Sequence, residues 1–335
     1  MPGPNSRRTT RYADLAALAI SGVLAAFAPM QVFLFSFAVL GPLHYLTEIA
    51  WLNKKKFYLG DSAVPKWVYV LAAVAAVALS LASGFLKHDM WFWAVGAMLL
   101  ISLSVLVRNA YVMTAVAVVA LIASFFLRTW VFFVAAMVPT LVHVFFFTWT
   151  FMVSGALRER ERSLTKWVNP ALAAVIPVLL MFVPMHYGRL GGFWLKAESM
   201  TFVSIHAKLA GDLHHTVVLN GMLLKDPVVA GLMRVFAFAY LFHYLNWFAK
   251  TELLELHKIP RREWAAIALV YVACLASFGV SFRFGFMVSS FLSVLHVVLE
   301  FPLNWHTLRF VAGNHGFEPA KRWTQRWLGA GAQAA

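Results

Sequence analysis

"LSVLHVVLEFPLNWHTLRF", residues 292–310, is the stretch that decides how this chain is read. It is apolar enough to lie in a lipid bilayer, yet it holds His296, Glu300 and His306. His296 and Glu300 are four apart, so on a helix they share one face. Neither side chain belongs in hydrocarbon without a partner. The stretch therefore predicts a membrane-spanning helix that presents a polar stripe to the inside of a bundle.

The rest of the chain agrees with that class. Of 335 residues, 61% are hydrophobic and only 13% are charged, with a mean hydropathy of +0.75. A soluble domain is roughly 45–50% apolar and about 25% charged. Several apolar runs reach the roughly 20 residues that a spanning helix needs. Strand alternation is absent, which favours a helical bundle over a barrel. The fold class expected is all-α, a polytopic membrane bundle.

The net charge of +14 does not point to nucleic acid, because the basic residues punctuate the apolar runs and form no separate domain. The single cysteine, Cys274, excludes an intramolecular disulfide framework. "MPGPNSRRTTRY" (1–12) leads straight into a span and lacks a cleavable signal pattern.

About ten spanning helices are expected, near 13–29, 31–51, 66–86, 90–107, 110–127, 129–156, 168–187, 228–250, 263–282 and 284–308. The first two are parted at "AFAPMQ" (26–31), where Pro29 marks a tight connection. Residues 188–226 are expected to be extramembrane or interfacial. No Gly/Ser linker divides the chain, so a single domain over 1–335 is expected. With Arg7, Arg8 and Arg11 in the cytoplasm, "NKKK" (53–56), "RERERSLTK" (158–166), "HKIPRR" (257–262) and "KRWTQR" (321–326) all fall on that side. This asymmetry predicts both termini inside and a bacterial inner-membrane location.

Four histidines then line up. His44, His143, His243 and His296 lie about 12–15 residues into helices that all run inward, so the rise per residue puts them at one depth, roughly 18–22 Å from the outer surface. Glu48 and Glu300 each follow a histidine by one turn. Asn246 shares a face with His243, and Glu252 closes the eighth helix. A charge in a spanning helix costs about 2.5–3.5 kcal/mol even on the lenient insertion scale. A shared cation would offset that cost. Imidazole and carboxylate are natural ligands for iron, zinc or manganese, and bundle metal sites are assembled from inward faces of several helices. One such histidine alone is more often a packing residue. Four at one depth with two acids favour a metal, with Glu48 and Glu300 as ligands, hydrogen-bond partners or catalytic groups.

His306 is placed at the cytoplasmic end of the last helix. His88, His186, His257 and His315 read as surface or interfacial. "SIHAKLAGDLHHTVVLNG" (204–221) holds His206, Asp212, His214 and His215. It reads first as an interfacial amphipathic helix and second as a source of further metal ligands. The aromatic residues around His143 ("HVFFFTWTF") and His243 ("FHYLNWF") would make a dry cavity suited to a hydrophobic substrate. No Walker loop, dinucleotide glycine pattern, Cys-x-x-Cys or Gly-x-Ser-x-Gly is present.

"GPLHYLTE" (41–48) and "LHVVLEFPLNWH" (295–306) resemble the Brp/Blh family of bacterial membrane β-carotene cleavage dioxygenases. Pro42, His44 and Glu48 match that family's early Pro-His motif with a following acid. His296, Glu300 and His306 approximate its late His-acid-His arrangement. The acids are glutamates here where the family typically has aspartates, and the family's His-Phe-Gly motif is absent. The resemblance implies non-haem iron on intramembrane histidines, O2 as co-substrate and a long isoprenoid substrate.

The function expected from these readings is a membrane non-haem iron oxygenase with one or two irons, acting on a lipid-like substrate. Its partners would be membrane lipids, that substrate and an electron-transfer protein if one is needed. The alternatives are a di-iron hydroxylase or desaturase that also uses the 206–215 histidines, a haem protein, and a proton-coupled transporter with a His/Glu relay.

Overall fold

The computed structural model describes residues 4–55, 138–159, 164–183, 227–252 and 254–314, with isolated pieces between 67 and 122 and the pairs 219–220 and 223–224. The expected spans 66–86, 90–107 and 110–127 fall largely outside the described residues. His206, Asp212, His214 and His215 also fall outside them, as do His88, His186 and His315.

The described chain is helical apart from a two-rung antiparallel ladder, Leu219–Asn220 against Leu223–Leu224. Helix α1 is Pro4–Phe27. Helix α2, Pro29–Phe35, begins one residue later with proline at its first position, where the missing N–H costs nothing. A π-helical segment, Ser36–Leu40, leads from α2 into α3, Gly41–Lys55. A second π-helical segment, Val138–Phe147, runs into α4, Thr148–Arg158. Helix α5 is Val168–Met181, α6 is Pro227–Phe248, α7 is Arg261–Val280 and α8 is Phe282–Asn314.

Six stretches among the described residues are long and apolar enough to cross a membrane: Thr9–Phe27, Pro29–Lys55, Leu141–Arg158, Leu164–Met181, Arg261–Val280 and Phe282–Gly313. Their surfaces are inverted relative to a soluble protein. Leu269, Val272 and Val280 of α7 and Val178 and Leu179 of α5 point outward. Asp14, His44, Glu48, His143, His243, His296, Glu300 and Asn304 are buried. Lipid takes the apolar side chains and the bundle interior takes the polar ones, so the chain is a multi-pass membrane protein.

Two compact units form. The first joins Met1–His44 with Ser163–Ser289, the second Tyr45–Arg162 with Ser290–Ala335. Helix α6 is the centre of the first unit, packed against α1, α2 and α5. It is buried from Phe236 to Tyr244 without a break, as a helix with no polar face must be. Its rings interlock with α2: Phe33 meets Tyr240 edge-on at 4.8 Å between centroids. Gly231 lets α6 close on the end of α5, since a Cβ there would meet Met181 Sδ at 2.9 Å. The second unit packs Leu52 of α3 and the helical residues Tyr69 and Ala73 against Val297, Val298, Leu299 and Phe301 of α8.

Two prolines shape the helices that carry the site. In the π-helical register Gly41 N donates to Ser36 O, so the next amide would serve Phe37 O. Residue 42 is proline and has no N–H. Ser289 Oγ donates to Phe37 O instead, at 3.3 Å. In α8, Pro302 leaves Val298 O without its helical donor, and the Tyr69 hydroxyl donates to it at 2.5 Å. Each orphaned carbonyl is satisfied by a hydroxyl from a distant part of the sequence, as burial requires.

Candidate metal centre

His44, His143, His243 and His296 are all buried, and they form two facing pairs, one in each unit. In the first unit His44 Nε2 and His243 Nε2 lie 2.9 Å apart. Their rings meet edge-on at 4.5 Å between centroids, with Tyr244 at 5.0 Å and Trp247 at 5.2 Å from the His44 ring. In the second unit His143 Nε2 and His296 Nε2 lie 3.0 Å apart, and the Tyr45 ring stacks on His296 at 4.3 Å.

Local backbone explains part of this placement. His44 follows a π-helical segment by four residues, and His143 lies inside the other one. A π turn rotates the chain beyond it relative to the residues before it, and such turns recur at functional sites. Proline occurs near both: Pro42 two residues before His44, and Pro139 four residues before His143.

The carboxylates complete the second pair. Glu300 Oε2 stands 3.1 Å from His143 Nδ1. That is ion-pair distance, although the two atoms are not aligned for a hydrogen bond. In metal centres a carboxylate commonly stands at the second ring nitrogen of a ligating histidine, and Glu300 occupies that position by distance. Glu48, also buried, interacts electrostatically with Glu300. Two carboxylates so placed inside a membrane need a cation or a shared proton to coexist.

The donor set fits a hard or borderline metal ion. Two nitrogens bound at about 2.0–2.1 Å at right angles on one ion stand roughly 3 Å apart, the spacing both pairs have. His44, His243 and His296 all offer a ring nitrogen that could serve as a ligand. A bis-histidine haem does not fit within either pair. Axial nitrogens stand about 4 Å apart with the macrocycle between them, and neither pair leaves that room.

The remaining expected residues are placed elsewhere. The Asn246 amide donates to Asp14 Oδ1 at 2.9 Å and accepts from Lys250 Nζ at 2.7 Å. It belongs to a buried polar network of α1 and α6. Glu252 lies past the end of α6 in an exposed turn, not within that helix. His306 and His257 are exposed.

The sequence reading passed over four residues. Asp14 is the lone acid of the first apolar run, and the rule that singled out Glu48 would have found it. Tyr45 and Tyr244 were hidden among many aromatics. Asn304 lies inside the opening stretch, one turn after Glu300.

A scan of protein-family models, a search of curated proteins and a search of solved structures each gave no match.

Proposed function

We propose that this protein is a bacterial inner-membrane non-haem iron oxygenase acting with O2 on a hydrophobic, isoprenoid-like substrate. Ten spanning helices with both termini in the cytoplasm, as the charge asymmetry predicts, complete the architecture. The observation that carries the reading is the second-unit cluster: two buried imidazoles with facing Nε2 atoms, a buried carboxylate 3.1 Å from the Nδ1 of one of them, and a second buried acid, Glu48, electrostatically coupled to that carboxylate. His143 and His296 would hold the iron with Glu48, and Glu300 would fix the His143 ring. His44 and His243 give a second pair of imidazole nitrogens. Bound there, iron would supply the activation of O2.

The protein's own part is to hold the ligands rigidly and keep water out. Tyr45 fixes the plane of His296, and the dry surroundings strengthen each charge interaction. The Brp/Blh resemblance supports a cleavage dioxygenase, which places both oxygen atoms in the products and needs no external reductant. The test is incubation of the iron-loaded protein with long isoprenoids, β-carotene included, under 18O2. Label in cleaved products without added reductant supports the reading. Turnover only with a reductant would place the chain among hydroxylases or desaturases, with an electron-transfer partner.

The facing Nε2 atoms at 2.9 and 3.0 Å also fit histidine-to-histidine hydrogen bonds. That is the form a proton relay takes, and wild-type protein free of metal but active in pH-driven flux would favour it.

A further inference from the structure

Asn304 is fully buried, and neither its Oδ1 nor its Nδ2 has a hydrogen-bond partner. It stands one turn after Glu300 and two after His296 on α8, so it prolongs their stripe. Its neighbours are already engaged. Trp305 Nε1 donates to Ser102 Oγ at 2.8 Å, and Thr307 Oγ1 donates to Leu303 O at 3.0 Å. Val298 O, freed by Pro302, accepts from Tyr69. The amide takes part in none of these bonds.

A buried amide without partners is destabilising, and a leucine of similar size would avoid the cost. Native proteins leave very few such groups, and each asks for a ligand, ion or water. Asn304 is uncharged and offers both a donor and an acceptor. That suits a neutral oxygen, such as a hydroxyl or carbonyl, better than a cation or an anion.

We infer that Asn304 is a substrate-binding residue that recognises a neutral oxygen on an otherwise hydrocarbon ligand, one helical turn from the metal cluster. The inference rests on the lipid-like substrate proposed above and narrows it to oxygenated isoprenoids, an alcohol or ketone over a pure hydrocarbon. The hydrogen bond would be made where no water competes, so its loss should cost most of the discrimination.

The test uses the full-length iron-loaded protein, Asn304→Leu and Asn304→Ala, with geranylgeraniol and the saturated hydrocarbon phytane as probes. Binding, iron content and unliganded Tm are measured for each. Wild type should prefer the alcohol by about tenfold. Both variants should lose that preference and keep their iron, and Asn304→Leu should show an unchanged or higher Tm. If Asn304→Leu fails to fold, Asn304→Ala carries the comparison. Equal binding of both probes by wild type would overturn the assignment, leaving the amide to water. A fallen Tm with the preference intact would also overturn it, making the amide structural. Loss of iron in a variant would overturn it by making Asn304 part of the metal centre. Wild-type protein that binds no iron would instead remove the proposed function on which the inference rests.

Discussion

Glu300 is the residue on which the second-unit cluster turns, because it faces His143 Nδ1 at 3.1 Å. Glu300→Gln keeps the shape and removes the carboxylate beside the imidazole. Replacing such a partner typically costs 10–100-fold in metal affinity, so iron should transfer to a competing chelator at about 10–100-fold lower chelator concentration. Asn246 serves as the contrast. Asn246→Ala leaves Asp14 with Lys250 Nζ at 3.6 Å as its remaining contact in that network. It should lower stability by about 1–3 kcal/mol, read as a fall in Tm, with iron content unchanged. Iron lost equally from both variants would mean that the cluster responds to general destabilisation and not to the carboxylate.

Prolines set the local course of the helices, and the hydroxyls that compensate for them can be tested as pairs. Tyr69→Phe should destabilise the protein by about 1 kcal/mol, since Val298 O would lose its donor. Pro302→Ala restores a backbone N–H to the same carbonyl. In that background Tyr69→Phe should cost nearly nothing, and the double-mutant cycle reads the coupling directly. Additive effects would show that the hydroxyl does not stand in for the missing amide. This is also where the sequence stops being legible. The bounds of α6 and α7, and the break between α1 and α2, follow from apolar length and from Pro29, so hydropathy finds those to within a few residues. Whether Pro42 ends, bends or widens its helix depends on Ser289, 247 positions away in the chain. The π segments, and the turn they impose on His44 and His143, therefore could not be read from local pattern. The four histidines and two glutamates were legible because charge in a span is costly. Which histidine faces which was not, because pairing depends on which helices pack together. Asn304 was missed for a related reason: an amide raises no alarm in a sequence until its lack of partners is seen.

Among the described residues the helices are inverted relative to a soluble protein, with apolar side chains exposed and polar ones buried. Helix α7 offers a direct test of the membrane reading, because Arg262 and Ser281 sit exposed at its opposite ends. With Cys274 buried as the lone native thiol, cysteines can be introduced singly. Ser281→Cys should react with an impermeant maleimide in intact cells, and Arg262→Cys only after the membrane is opened. Labelling of both from one side would contradict a spanning α7. The central claim is a metal bound by buried histidines. The measurement that tests it most directly is elemental analysis, with an optical spectrum, of detergent-purified wild type beside His143→Ala and His296→Ala. The account predicts stoichiometric iron in wild type, its loss in both variants, and no haem absorption. Carefully prepared wild-type protein without metal, or iron retained undiminished in both variants, would contradict it.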